Sequence, residues 1–120
     1  WVQQVAARTT ENVYITIDLD AFDPSIMPAT GTPEPGGLLW YDVLDLLRTI
    51  AAQRNIVGFD VVELCPIQGQ PAPDFLAAKL IYKLLAYILV SRFKYLPGIV
   101  MGKFTKMTVN NGLGHDGDKS

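Results

Sequence analysis

The run Ile15-Thr16-Ile17-Asp18-Leu19-Asp20-Ala21-Phe22-Asp23-Pro24 limits what this chain can fold into more than any other feature. Apolar and β-branched residues lead straight into carboxylates, and a loop rich in proline and glycine follows as far as Gly37. Successive side chains of a strand point to opposite faces. A strand over 12–20 therefore puts Asp18 and Asp20 on one face with Tyr14 and Thr16, and Val13, Ile15, Ile17 and Leu19 on the other. Two carboxylates so placed at the end of a buried strand repel each other unless a positive charge lies between them. A divalent cation can supply it, because ionised carboxylates are hard oxygen ligands suited to Mn²⁺ or Mg²⁺. The pair alone fits a helix cap or a solvated strand end equally well, so it leaves the metal open.

The rest of the chain supplies a frame. Residues 12–20 read as a central parallel strand, apolar on both faces. Residues 21–37 read as a long loop that Pro24, Pro28, Pro33 and Pro35 stiffen into a wall. A helix is predicted over 38–54, with Val43, Leu44, Leu47 and Ile50 near helical spacing and Asp42, Asp45, Arg48 and Gln53 on the wetter side. A second strand over 56–62 ends at Glu63, and a second stiff loop follows with Pro66, Gly69, Pro71 and Pro73. The helix predicted over 74–90 is apolar on nearly every side, with only Lys79 and Lys83 charged beyond its first residue. That run is short for a bilayer span and carries two lysines spaced i,i+4, which argues for burial in protein. Residues 1–8 read as the end of a helix or a connector, and residues 92–120 as a flexible tail that leaves His115 solvated.

Strand, helix, strand, helix with a crossover of this length is a right-handed parallel β-α-β-α unit, hence the α/β class. Both loops that follow strands leave from the same edge, and ligands of open α/β sheets bind at that carboxyl edge. Asp18, Asp20 and Glu63 should therefore share one rim, with the proline-rich loop beside them. At 120 residues the chain is one domain at most. A net charge of −2 gives no reason to expect nucleic acid or an acidic membrane as partner. The single cysteine, Cys65, excludes an intramolecular disulfide and suits a reducing cytoplasm. With no histidine near to activate it, Cys65 reads as a small buried filler. The chain opens on Trp1 rather than methionine, which suggests a start in the middle of something larger.

Three strings together carry a family likeness. Asp18-Leu19-Asp20-Ala21-Phe22-Asp23-Pro24, then Pro28-Ala29-Thr30-Gly31-Thr32-Pro33-Glu34-Pro35-Gly36-Gly37, then Asp60-Val61-Val62-Glu63-Leu64-Cys65-Pro66, closely resemble the signature of the ureohydrolases, the arginase and agmatinase family. Pro33 to Gly37 followed by Trp40-Tyr41 looks more like agmatinases than arginases. The resemblance covers residues 1–91 and implies an incomplete, carboxyl-terminal part of a three-layer α/β/α arginase-like sandwich. It implies manganese-dependent hydrolysis of a guanidino compound, first of all agmatine to putrescine and urea in polyamine biosynthesis. The alternatives are guanidinobutyrate, arginine or formimidoylglutamate as substrate, or a non-catalytic fragment or interaction module.

By the same resemblance Asp18 and Asp20 map onto metal ligands of a two-manganese centre that lowers the pKa of the attacking water. Glu63 maps onto the carboxylate that holds the substrate guanidinium, whose planar fork of N–H donors suits it. Thr32 falls beside the ligands, and Asp23 reads as holding the turn before Pro24. The implied setting is a cytoplasmic enzyme, homo-oligomeric when complete, with a small guanidino substrate and neither nucleic acid nor membrane as partner. The family's histidine motifs, of Gly-Gly-Asp-His and Asp-Ala-His-x-Asp type, are absent from this sequence. No catalytic residue is therefore assigned, and the chain should carry half a site.

Overall fold

The computed structural model describes residues 1–93. Helix α1 (Val2–Arg8) leads to strand β1 (Asn12–Asp18), helix α2 (Trp40–Gln53), strand β2 (Asn55–Val62) and helix α3 (Pro71–Phe93). The two strands pair in parallel, with Asn12 opposite Asn55 at one end and Asp18 opposite Val62 at the other. Helix α2 makes the crossover that a parallel pair requires. The order is that of a parallel β-α-β-α unit, as the hydrophobic pattern implied.

One irregularity sets which way β2 faces. Val13 pairs with Ile56 but Tyr14 pairs with Gly58, so Val57 is an extra residue with no partner across the ladder. A one-residue bulge reverses the alternation that follows it. Ile56 before the bulge and Phe59 and Val61 after it therefore all face the helices, while Val57 is exposed. From β1 the same side takes Val13, Ile15 and Ile17. Against them pack Leu44, Leu47 and Ile50 of α2 and Ala77, Leu80 and Leu84 of α3, with Leu80 and Leu84 fully buried.

The helix ends follow from local chemistry. The Asp42 carboxylate accepts a hydrogen bond from the Leu39 backbone N at 3.0 Å and so satisfies an orphan donor at the start of α2. At its other end Arg54 leaves helical geometry and reaches back to α1, donating to the Ala6 carbonyl at 2.7 Å and to Thr9 Oγ1 at 3.1 Å. Helix α3 starts at Pro71, where a missing N–H costs nothing, and so begins three residues earlier than the sequence suggested. It also runs on through Arg92 and Phe93, past the boundary expected at residue 91. The expectation of a flexible tail, with His115 in it, falls otherwise on residues outside those described. Among the described residues no helix is long and apolar enough to cross a membrane.

Candidate functional site

Strand β1 stops two residues sooner than its sequence suggested. The Asp18 carboxylate accepts a hydrogen bond from the Asp20 backbone N at 2.9 Å, which turns the chain off the ladder into a single 3₁₀ turn, Leu19–Ala21. Asp18 and Asp20 are thus not alternate positions of one strand. Asp18 ends the strand, and Asp20 sits in the turn that fully buried Leu19 anchors. They are still joined, because the carboxylate of one holds the backbone of the other. Asp20 Oδ2 accepts from the Thr32 hydroxyl, and Asp20 Oδ1 is buried with no donor. A buried, unpaired carboxylate oxygen is costly, and a cation is one partner that would offset the cost. That observation fits a metal at Asp20. The donor set is short, however: among the described residues no group of three or more His, Cys, Asp and Glu side chains is placed to hold an ion.

The loop after the turn is closed on itself. Asp23 N donates to the Leu38 carbonyl at 3.0 Å and Leu38 N to the Ala21 carbonyl at 2.8 Å, so the two ends of the loop lie side by side. A Cβ at residue 37 would run into the Phe22 backbone, so this close approach requires Gly37. Asp23 Oδ1 accepts from Ser25 N at 2.9 Å and Asp23 Oδ2 from Gly36 N at 3.0 Å. Bonds from the Ser25 hydroxyl, then from Ser25 N and Gly36 N, hold the Asp23 carboxyl below its usual range. Asp23 therefore ties the turn, as its place before Pro24 suggested. Phe22, Met27 and Ala29 fill the inside of the loop, which makes it a packed wall.

Glu63 follows β2 with φ at +66°, the left-handed region. That conformation disfavours an L side chain by about 1–2 kcal/mol, so the surroundings must hold it. They do so from both sides. Val62 lies in the ladder opposite Asp18, and Cys65 N donates to the Ala29 carbonyl at 2.8 Å. The Glu63 carboxylate then lies against Gly31, where a Cβ would sit 3.4 Å from Oε2. Residue 31 adjoins Thr32, which bonds Asp20. The rim thus runs from Asp18 to Asp20, Thr32, Gly31 and Glu63. Cys65 is exposed rather than buried, because its backbone is used for the stitch to Ala29 and its side chain is left outside.

Sequence reasoning gave Asp60 and Tyr14 no role, yet they share this face. The Tyr14 hydroxyl donates to Asp60 Oδ2 at 3.0 Å, with its ring across Gly58, where a Cβ would lie 2.8 Å from the ring. Donation to Asp60 raises the Tyr14 pKa above its ordinary value. Asp60 Oδ1 is a second buried carboxylate oxygen without a donor. Asp60 pairs across the ladder with Thr16, one alternation back from Asp18, so it faces the same way. The available signal was a lone carboxylate inside the apolar run Phe59-Asp60-Val61.

The Arginase family model matches residues 1–86. An N(1)-aminopropylagmatine ureohydrolase of Synechocystis sp. is 46% identical over 88 residues, which are 72% of this chain and 29% of that protein. The enzyme of the same name from Thermus thermophilus is 49% identical over 81 residues, 68% of this chain and 27% of that protein. Among solved structures, the agmatine ureohydrolase of Thermoplasma volcanium superposes with a TM-score of 0.69 at 34% identity, over 79% of this chain and 33% of that one. Proclavaminate amidinohydrolase of Streptomyces clavuligerus gives 0.68 at 35% identity, over 75% and 30%. The chain thus spans less than a third of the length of these curated relatives, and the described residues are an incomplete α/β arginase-like fold. The carboxylate rim, the looped wall and the left-handed glutamate lie within the span that the family model matches, and the chain belongs to the arginase family.

Proposed function

We propose that this chain supplies the carboxylate and guanidinium-reading part of a ureohydrolase site. The complete site would hydrolyse a guanidino compound to urea and an amine with manganese. The observation that carries the reading is Glu63, held in a strained conformation with its carboxylate on the rim that Asp20 also occupies. Strain is kept where the surroundings are organised around the side chain. A glutamate so held offers two oxygens to the paired N–H donors of a guanidinium, and that contact fixes the orientation of its carbon. Asp18 and Asp20 would hold manganese, with Thr32 keeping one Asp20 oxygen in place. Bound manganese supplies acidification of water and stabilisation of developing negative charge.

The substrate we favour is agmatine or its N1-aminopropyl derivative, since relatives bearing both names match this chain. Guanidinobutyrate, arginine and formimidoylglutamate are the weaker choices. A cytoplasmic, homo-oligomeric enzyme of polyamine synthesis belongs to the same reading. The test is urea release from agmatine and from N1-aminopropylagmatine with Mn²⁺ present. The chain is assayed alone, then mixed with the remaining amino-terminal part of the Synechocystis relative. The chain alone should release none, and the mixture should release urea. Glu63→Gln in the mixture should lower the rate roughly a hundredfold, the worth of a charge-assisted contact. Equal rates with glutamine would remove Glu63 from substrate binding.

A further inference from the structure

All but one of the described glycines have a reason in the backbone or in packing. Gly36 and Gly69 have φ of +83° and +80°, Gly37 lies against the Phe22 backbone, and Gly58 lies under the Tyr14 ring. Gly31 has neither reason. Its φ is not positive, and a Cβ there, chain neighbours aside, would meet a single atom within 4 Å among the described residues. That atom is Glu63 Oε2, at 3.4 Å. What the missing side chain leaves open is one oxygen of the Glu63 carboxylate. The opening is held from both sides. Thr30 before it is buried, and Thr32 after it donates its hydroxyl to Asp20. The bond from Cys65 N to the Ala29 carbonyl, 2.8 Å, fixes residues 29–31 against 63–65. Neither segment can back away from the other without breaking that stitch.

We propose that Gly31 is a positioning residue for the guanidinium: its lack of a side chain reserves the space beside Glu63 Oε2 for a substrate nitrogen. The role rests on Glu63 as the carboxylate that reads the guanidinium. A donor nitrogen must come within about 2.9 Å of Oε2 to bond it. A Cβ 3.4 Å from the same oxygen fills that space with carbon, and a longer side chain covers the oxygen. The carboxylate then keeps one oxygen for the guanidinium. A two-point contact, which fixes the plane of the group, becomes a one-point contact, which leaves it free to turn. Gly31 thus acts through Glu63 and makes no bond of its own.

Agmatine titrated into the ¹⁵N-labelled 120-residue chain, followed by NMR, tests the role. Gly31→Ala should weaken binding about two- to fivefold and Gly31→Val about tenfold or more, the worth of one charge-assisted hydrogen bond. Urea midpoints should not fall, because the position is exposed and its backbone is not left-handed. A Glu63→Asp background separates positioning from damage to the loop, since it draws the carboxylate back from residue 31 by one methylene. There Gly31→Val should cost at most about twofold, whereas a disturbed loop would cost as much in either background. Equal binding by wild type and Gly31→Val, with Glu63→Gln weaker, overturns the role of Gly31 and leaves Glu63 in place. So does a cost of Gly31→Val that is undiminished in the Glu63→Asp background. Binding that is absent from the wild type, or indifferent to Glu63→Gln, overturns the contact with Glu63 and the role of Gly31 with it.

Discussion

On the helix side of the sheet, Ile17 and Ile56 meet Leu47, Leu80 and Leu84 in a closed apolar core. On the other side Tyr14 and Thr16 are exposed, and Asp18 and Asp60 face the same way. Asp60 on this face and Asp20 at the rim each keep a buried oxygen without a donor, and Glu63, also at the rim, sits in a strained backbone conformation. The first region lowers the free energy of the fold and the second raises it. Local cost gathered at one edge, opposite a satisfied core, is the signature of a site that stability alone did not shape.

The sharpest test of that division compares one residue from each side. Leu80→Ala opens a cavity at a fully buried position and should cost about 2–5 kcal/mol, enough to unfold a small domain. Thr16→Val, on the open face, should stay within about 0.5 kcal/mol. Urea melts of the two variants read the difference directly. Similar midpoints would mean that the open face carries as much of the fold as the core.

The rim should respond with the opposite sign. Glu63→Gly relieves a left-handed L-residue and should raise stability by about 0.5–1 kcal/mol, the gain being trimmed by the larger backbone entropy of glycine. It should also abolish whatever guanidinium affinity the chain has, measured by calorimetry with agmatine. Asp20→Asn removes a charge while keeping an oxygen for the Thr32 hydroxyl. Without metal it should melt at or slightly above wild type, within about 1 kcal/mol. With Mn²⁺ any manganese-dependent gain in melting temperature seen for wild type should vanish. A variant that still gains stability from manganese would detach Asp20 from the ion.

The helix side was the more legible of the two in the sequence. Helical spacing at Val43, Leu44, Leu47 and Ile50 and the β-branched run before Asp18 depend on averages over many residues, so one odd residue does not spoil them. The rim depends on single hydrogen bonds. Nothing in the alternation of 12–20 announces that the Asp18 carboxylate will capture the Asp20 amide and end the strand there. Nor does a valine at 57 announce a bulge, although that bulge decides that Asp60 faces Asp18 rather than the core. Glu63 could be named through a family likeness, but its left-handed backbone could not. That conformation is imposed by a ladder partner in β1 and a stitch to Ala29, both distant in sequence.

The smallest expected effect lies where the rim meets its wall, at Asp23. Its carboxyl is held below the usual carboxylate range by bonds from Ser25 and Gly36, and the unfolded chain would show the ordinary value near 3.8. A folded value below the unfolded one means that the native state prefers the ionised form. The contribution is therefore fully present above pH 3.8 and is lost as pH falls through the depressed folded value. Asp23→Asn keeps an acceptor oxygen for Ser25 N but cannot titrate. Because Asp23 is only partly buried, screening by solvent keeps the effect small. Chemical melts between neutral pH and pH 2.5 should show the wild type ahead of Asp23→Asn at neutral pH and the gap closing in acid. The melt of the Leu80→Ala variant, if it folds, should keep a constant gap from wild type over the same range, because no proton is involved. A gap at Asp23 that widened as pH fell would show that the loop is not tied by an ionised carboxylate, and the wall beside the rim would need another explanation.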